Sequence, residues 1–165
     1  MGFEDSIQIK PVLSETHIQE IMSHPKTFPG AFKDIKLKEE NQHRRYNVDL
    51  ITEGEYRMSI SIRVSRKNPS NFSVILKYTN RAGYEYILRR YNGDHGLHIN
   101  PDGERFTGCH IHKITESAQT DRMKEESYAY PTDKYQDWKG ALSILMADGN
   151  IQYKNTNTNL GRWIQ

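Results

Sequence analysis

Tyr56-Arg57-Met58-Ser59-Ile60-Ser61-Ile62-Arg63-Val64-Ser65 alternates apolar and polar residues without a break. A period of two places Tyr56, Met58, Ile60, Ile62 and Val64 on one face of a β-strand and Arg57, Ser59, Ser61, Arg63 and Ser65 on the other. Such a strand belongs to an antiparallel sheet packed on one side and either solvated or covered by a ligand on the other. The pattern recurs around it. Tyr46, Val48 and Leu50 alternate before a turn at residues 52–55, and Phe72, Val74, Leu76 and Tyr78 follow the turn Asn68-Pro69-Ser70-Asn71. Asn80-Arg81-Ala82-Gly83, with its glycine late, suits a type I turn with a bulge and leads into Tyr84, Tyr86 and Leu88. The expectation is an antiparallel meander of three to five strands.

Helical signals flank this meander. Ser14 is placed to cap a helix over residues 15–23 with Ile18, Ile21 and Met22 on one face, and His24-Pro25 ends it. Residues 6–13 read as a short strand that Pro11 confines to an edge or an end. Residues 25–34 read as loop. Cys109 to Ile114 reads as another short strand, and residues 115–132 are polar, with a helical turn near 118–126. A second helix is expected from a cap at Asp133 to about Ala147, with Tyr135, Trp138, Leu142 and Leu145 on one face and Gly149 just past its end. The fold class is therefore α+β: an antiparallel meander with an N-terminal helix and a C-terminal helix packed on one face. One domain is expected over residues 1–165, with 155–165 as a flexible tail.

Composition narrows the function classes. The 165 residues carry 23 Lys and Arg against 21 Asp and Glu, a net charge of +2 that excludes a polybasic, histone-like chain but permits a local basic groove. Hydrophobic residues make up only 35%, yet ten tyrosines argue against disorder. No apolar run reaches the roughly 18 residues of a membrane span. The N-terminus lacks the basic and apolar regions of a signal peptide, so a cytoplasmic location is expected. Gly2 and Ser6 match the myristoylation pattern only loosely. Cys109 stands alone, which excludes an internal disulfide and a four-cysteine zinc site.

Histidine is the residue in excess, and four of the seven, His95, His98, His110 and His112, fall in a glycine-rich loop and the strand after it. His110 and His112 are two apart and share a strand face. Two chemistries suit them. RNA supplies its own 2′-hydroxyl nucleophile, so a protein needs only a base, an acid and fixed cations; histidines would be base and acid, with Arg90 and Lys113 stabilising the developing charge. That chemistry needs no cofactor. Arg57 and Arg63 would track phosphates, and Tyr91 and Asn92 would contact the substrate, with Tyr84 and Tyr86 as further stacking candidates. Alternatively, His110 and His112 form a chelating pair that His95, His98, Asp94 or Asp102 completes, Cys109 lying on the opposite strand face.

The runs Tyr46-Asn47-Val48-Asp49-Leu50, Asn68-Pro69-Ser70-Asn71-Phe72-Ser73-Val74, Arg90-Tyr91-Asn92-Gly93-x-His95-x-x-His98-x-Asn100-Pro101-Asp102-Gly103 and His110-Ile111-His112-x-x-Thr115-Glu116 resemble a group of small, uncharacterised bacterial and phage proteins over about residues 44–146. More distantly, a strand ending in Arg-Tyr-Asn before spaced histidines and a His-x-His-Lys strand is similar to TumE-type toxins of bacterial toxin–antitoxin systems. Those carry aspartate where Asn92 stands and space their histidines more tightly. This resemblance implies action on RNA or translation and singles out Arg90, His95, His98, His110, His112 and Lys113. The leading expectation is thus a metal-independent ribonuclease of toxin type. The rivals are a non-catalytic protein-binding module, such as a phage anti-defence inhibitor or a toxin–antitoxin partner, and a metal-binding enzyme using the same histidines. Expected partners are RNA or a protein, with no membrane, for a monomer or homodimer.

Overall fold

A computed structural model describes residues 9–54, 56–121, 123–124 and 126–154; the expected tail at 155–165 lies outside the described residues. Helix α1 (Glu15–Ser23) is followed by strands β1 (Lys26–Phe28), β2 (Lys38–Glu40), β3 (His43–Asp49), β4 (Ile51–Thr52), β5 (Arg57–Ser65), β6 (Phe72–Thr79) and β7 (Glu85–Asn92). Two short strands, β8 (His98–Ile99) and β9 (Arg105–Phe106), precede β10 (His110–Lys113), α2 (Glu116–Thr120), β11 (Ala129–Pro131), α3 (Trp138–Asp148) and β12 (Ile151–Tyr153). The fold is α+β.

The main sheet has seven strands in the order β11-β10-β7-β6-β5-β3-β2, with every neighbouring pair antiparallel. It is the expected meander with more strands. The extra ones, β2 and β11, are three residues long and carry too little alternation to be read locally. The apolar face of β5 is buried at Met58, Ile60, Ile62 and Val64, where it joins Val74, Leu76 and Tyr78 of β6. Ala141, Leu142 and Leu145 of α3 and Ile18, Ile21 and Met22 of α1 belong to the same buried cluster. The opposite face keeps the serines and arginines of β5, all at least partly accessible.

One irregularity decides what that open face carries. β6 and β7 pair regularly from Thr79↔Glu85 to Lys77↔Ile87, then resume at Leu76↔Arg89, so Leu88 is an extra residue, a β-bulge. Its carbonyl still accepts from Ile114 N at 3.0 Å. Before the bulge Tyr86 and Leu88 face the core; after it Tyr91 does, and Arg90 and Asn92 turn to the open face.

α3 starts later than the sequence suggests. Asp137, not Asp133, caps it, its side chain accepting from Gly140 N at 2.8 Å. Tyr135 lies before the helix and is buried, its hydroxyl within reach of the Asn92 and His110 carbonyls at 2.8 and 3.0 Å. Gly149 ends α3 at φ −92°, and Asn150 takes the left-handed φ of 53°. Residues 25–34 are not all loop, because β1 pairs in parallel with β12 and antiparallel with β4. Its partners lie about 25 and about 125 residues away in sequence, beyond any local periodicity. Residues 9–13 form no strand.

Lys26 ties this second, three-stranded sheet to both long helices. Its buried ammonium donates to the carbonyls of Met22 at 3.1 Å, His24 at 2.8 Å and Gly149 at 2.6 Å. These carbonyls sit at the C-terminal ends of α1 and α3, where a cation is favoured. Lys26→Met keeps the aliphatic volume but strips all three acceptors of their donor. The expected loss is about 1–3 kcal/mol of unfolding free energy in urea denaturation. An unchanged midpoint would show that the clip carries no stability.

Candidate functional site

Strand register assembles the site. Two rows of residues cross the open face of the main sheet. The first runs Arg45, Arg63, Ser73, Asn92 and His110 on successive strands, and the second Asn47, Ser61, Ile75, Arg90 and His112. The histidines therefore stand beside Arg90 and Asn92 because of the bulge one turn of the pleat earlier. The segment from Gly93 to Gly108 then folds back over the same face, and its β8–β9 hairpin carries His98. Gly93 makes this return possible: a Cβ there would lie 2.0 Å from the Ser70 carbonyl oxygen and 2.5 Å from the Phe72 ring.

All four clustered histidines converge. Ring centroids are 4.8 Å apart for His95–His110, 5.3 Å for His98–His110, 5.0 Å for His98–His112 and 5.1 Å for His110–His112. Phe106 packs on His98 and His110 at 5.1 and 5.6 Å. The cleft in front of them, about 660 Å³, is lined by Arg63, Ser73, Arg90, Asn92, His95, His98, His112, Lys124 and Glu126, among others. That volume falls within the roughly 300–1,000 Å³ of small-ligand sites.

Hydrogen bonds orient every ring. Ser73 Oγ donates to Asn92 Oδ1 at 2.7 Å, which turns the Asn92 amide nitrogen toward His95 Nε2 at 3.2 Å and His110 Nε2 at 3.4 Å. His110 Nδ1 donates to the Gly108 carbonyl at 2.8 Å, and His112 Nδ1 to the Glu126 carbonyl at 2.7 Å. His98 Nε2 donates to Asn100 Oδ1 at 2.8 Å. Asn100 is itself buried and clamped to the Ala129 N–H and carbonyl, both at 2.9 Å. A carbonyl can only accept, so the lone pairs are assigned: Nδ1 on His98 and Nε2 on His110 and His112.

Burial sets the charge state. Desolvation, with lesser contributions from His110, His98 and Arg90, pushes His112 down to about 4. Desolvation likewise lowers His110. Both are neutral near pH 7, hence proton acceptors or metal ligands rather than acids. Arg90 is held by the buried Glu126 carboxylate at 3.2 Å. Arg63 has no acidic partner among the described residues; burial and the nearby Arg45 and Arg90 charges push its guanidinium down, a field that an anion would relieve.

The structure brings His95, His98, His112, Arg90, Asn92 and Arg63 to the lining of one cleft, with His110 fully buried against the other three imidazoles. Three candidates lie elsewhere. Lys113 is on the other face of β10, opposite Arg89, because strand neighbours alternate. Tyr91 faces the core, its hydroxyl donating to Asp148 at 2.6 Å. Arg57 shares the face of Arg63 but stands six residues along β5, roughly 20 Å at the rise of a strand, and lines a different cleft. Tyr84 and Tyr86 also lie outside the cleft lining, and Tyr86 is in the core. Asn100, Ser73 and Glu126 were not legible: Asn100 sits in an apparent turn motif, and the others act through partners distant in sequence.

Fold and cleft together define an α+β protein with a histidine-rich, cation-flanked site on the open face of an antiparallel sheet. The chain belongs to DUF6978, a family of unknown function whose model matches residues 13–151. Neither the curated proteins nor the solved structures gave a match. Among the described residues no helix is long and apolar enough to cross a membrane.

The depressed imidazoles carry a sign. Between about pH 6.5 and 4 the unfolded chain binds protons that folded His112 and His110 refuse, so stability falls as pH drops through that window. In chelator-treated protein, an NMR titration should find His112 protonating near 4. Titration near 6.5, the ordinary histidine value, would contradict the burial argument.

Proposed function

We propose that this chain is an enzyme that binds RNA across the open sheet face and attacks a phosphodiester in the histidine cleft. The observation that carries the reading is the convergence of four imidazoles, three of which line one cleft with Arg63, a guanidinium that has no acidic partner among the described residues. Arg63 anchors a phosphate, with Arg45 beside it in the same cross-strand row. Ser59, Ser61 and Ser65 leave a low polar floor along which an extended strand can lie. The similarity to TumE-type toxins supports the same substrate class, and adds the expectation of a bacterial or phage origin and an antitoxin partner.

In this reading a neutral imidazole takes the proton of the attacking 2′-hydroxyl as its oxygen bonds to phosphorus; the 5′-oxygen departs with a proton from a water of the open cleft, and the hydroxide left behind takes the proton back from the imidazolium. The products are a 2′,3′-cyclic phosphate and a 5′-hydroxyl. Arg63 neutralises charge that develops on the phosphoryl oxygens. His95 is the exposed imidazole of the four.

The test is cleavage of a single-stranded RNA pool by purified protein. His112→Ala and Arg63→Ala should lose activity by at least about tenfold while remaining folded, about 1.4 kcal/mol of lost transition-state stabilisation. Arg63→Ala should also reduce the salt dependence of RNA binding by about one unit of log–log slope. Lys113→Ala and Tyr91→Phe, on the other face, should cleave as wild type. Loss in Lys113→Ala with retention in His112→Ala would sink the reading.

A further inference from the structure

We propose that His98, His110 and His112 form a three-imidazole site for a divalent transition-metal ion of the zinc type, with its remaining coordination position turned to the cleft. The inference rests on the reading of this cleft as the reactive site.

One ring nitrogen of each of the three histidines lies within 4.8 Å of those of the other two. A tetrahedral ion at zinc–nitrogen distances of about 2.0–2.1 Å would hold such nitrogens roughly 3.3 Å apart. The nitrogens therefore need to close by no more than about 1.5 Å to hold such an ion.

More telling is the opposite nitrogen of each ring. A metal-ligating histidine characteristically donates its other N–H to a carbonyl or carboxylate, which fixes tautomer and ring plane. Here all three do so: His98 to the Asn100 side chain, His110 to the Gly108 carbonyl and His112 to the Glu126 carbonyl. The acceptor for His98 is in turn clamped to Ala129. Among the described residues, the long 3.4 Å contact from the Asn92 amide to His110 Nε2 is the one that would have to yield to an ion.

Other donors in reach of sequence reasoning are occupied or turned away. Asp94 accepts from Gly96 N and Asp102 from Glu104 N, both closing turns, and Cys109 is on the other face of the strand entering β10. Three imidazoles without a thiolate suit zinc and its neighbours rather than calcium or magnesium. Three protein ligands also leave a position free, the pattern of catalytic rather than structural zinc sites. That position would take water or an oxygen of a phosphate ester.

The experiment uses untagged full-length protein stripped with a chelator and dialysed. It is titrated with Co²⁺ by visible absorption and with Zn²⁺ by calorimetry. One equivalent of each is expected, with the intense visible bands of a four-coordinate cobalt site that Zn²⁺ then abolishes. His98→Ala, on the partly exposed hairpin, should lose the site, and Asn100→Ala should weaken it about 10–100-fold. Lys113→Ala, on the other face of β10, should bind as wild type. Absence of saturable binding in wild type, or unchanged binding in His98→Ala, overturns the proposal. One ion bound with no RNA cleavage in any metal supports the centre and defeats the RNA reading. Full RNA cleavage by the metal-free chain supports that reading and defeats the centre as part of it.

Discussion

The bulge at Leu88 is the constraint on which the site depends. Alternation along an unbroken β7 would have sent Arg90 toward the helices and Tyr91 toward solvent. The extra residue reverses this phase after Leu88, so that Tyr91 locks onto Asp148 while Arg90 and Asn92 meet His112 and His110 on the other side. A bulge is destabilising unless its unpaired groups find partners, and here Ile114 N–H satisfies the Leu88 carbonyl. The cost is met by the adjacent strand, which is also the strand that carries two of the histidines.

From that placement the polar network follows. Buried imidazoles are tolerable because each ring N–H has an acceptor, and among the described residues no buried side-chain nitrogen or oxygen is left without a partner. Glu126 serves twice, its carboxylate neutralising Arg90 and its backbone carbonyl orienting His112. What remains unsatisfied is electrostatic rather than a missing hydrogen bond. Arg63 faces the like charges of Arg45 and Arg90 with no acidic partner among the described residues, and His95, His98 and His112 line the same cleft. A site with spare positive charge and spare lone pairs is complementary to a phosphate, to a metal ion, or to both together.

Much of the fold was legible from alternation. The strands around Tyr56–Ser65 stand where the period of two places them, and α1 spans the residues its Ser14 cap and His24-Pro25 stop imply. Long-range pairing was not legible: β1 has three residues, and its partners are far away in sequence. The same division holds at the site. His110 and His112 were readable as one face because strand geometry is local, and His95 and His98 were flagged only as neighbours in sequence. The roles of Lys113 and Tyr91 depended on the bulge phase and on strand alternation seen together, and a single inserted residue is invisible to composition. Asn100 and Ser73 matter only through atoms brought to them by folding.

Folding gathers His98, His110 and His112 and holds each ring in one tautomer through a hydrogen bond to a fixed acceptor. Long-range ¹H–¹⁵N correlation of the imidazoles at pH 7 in chelated protein reads the tautomers directly. The Nδ1–H form is expected for His110 and His112 and the Nε2–H form for His98. The opposite tautomer at any of these rings, or rapid averaging of all three, would contradict that assignment.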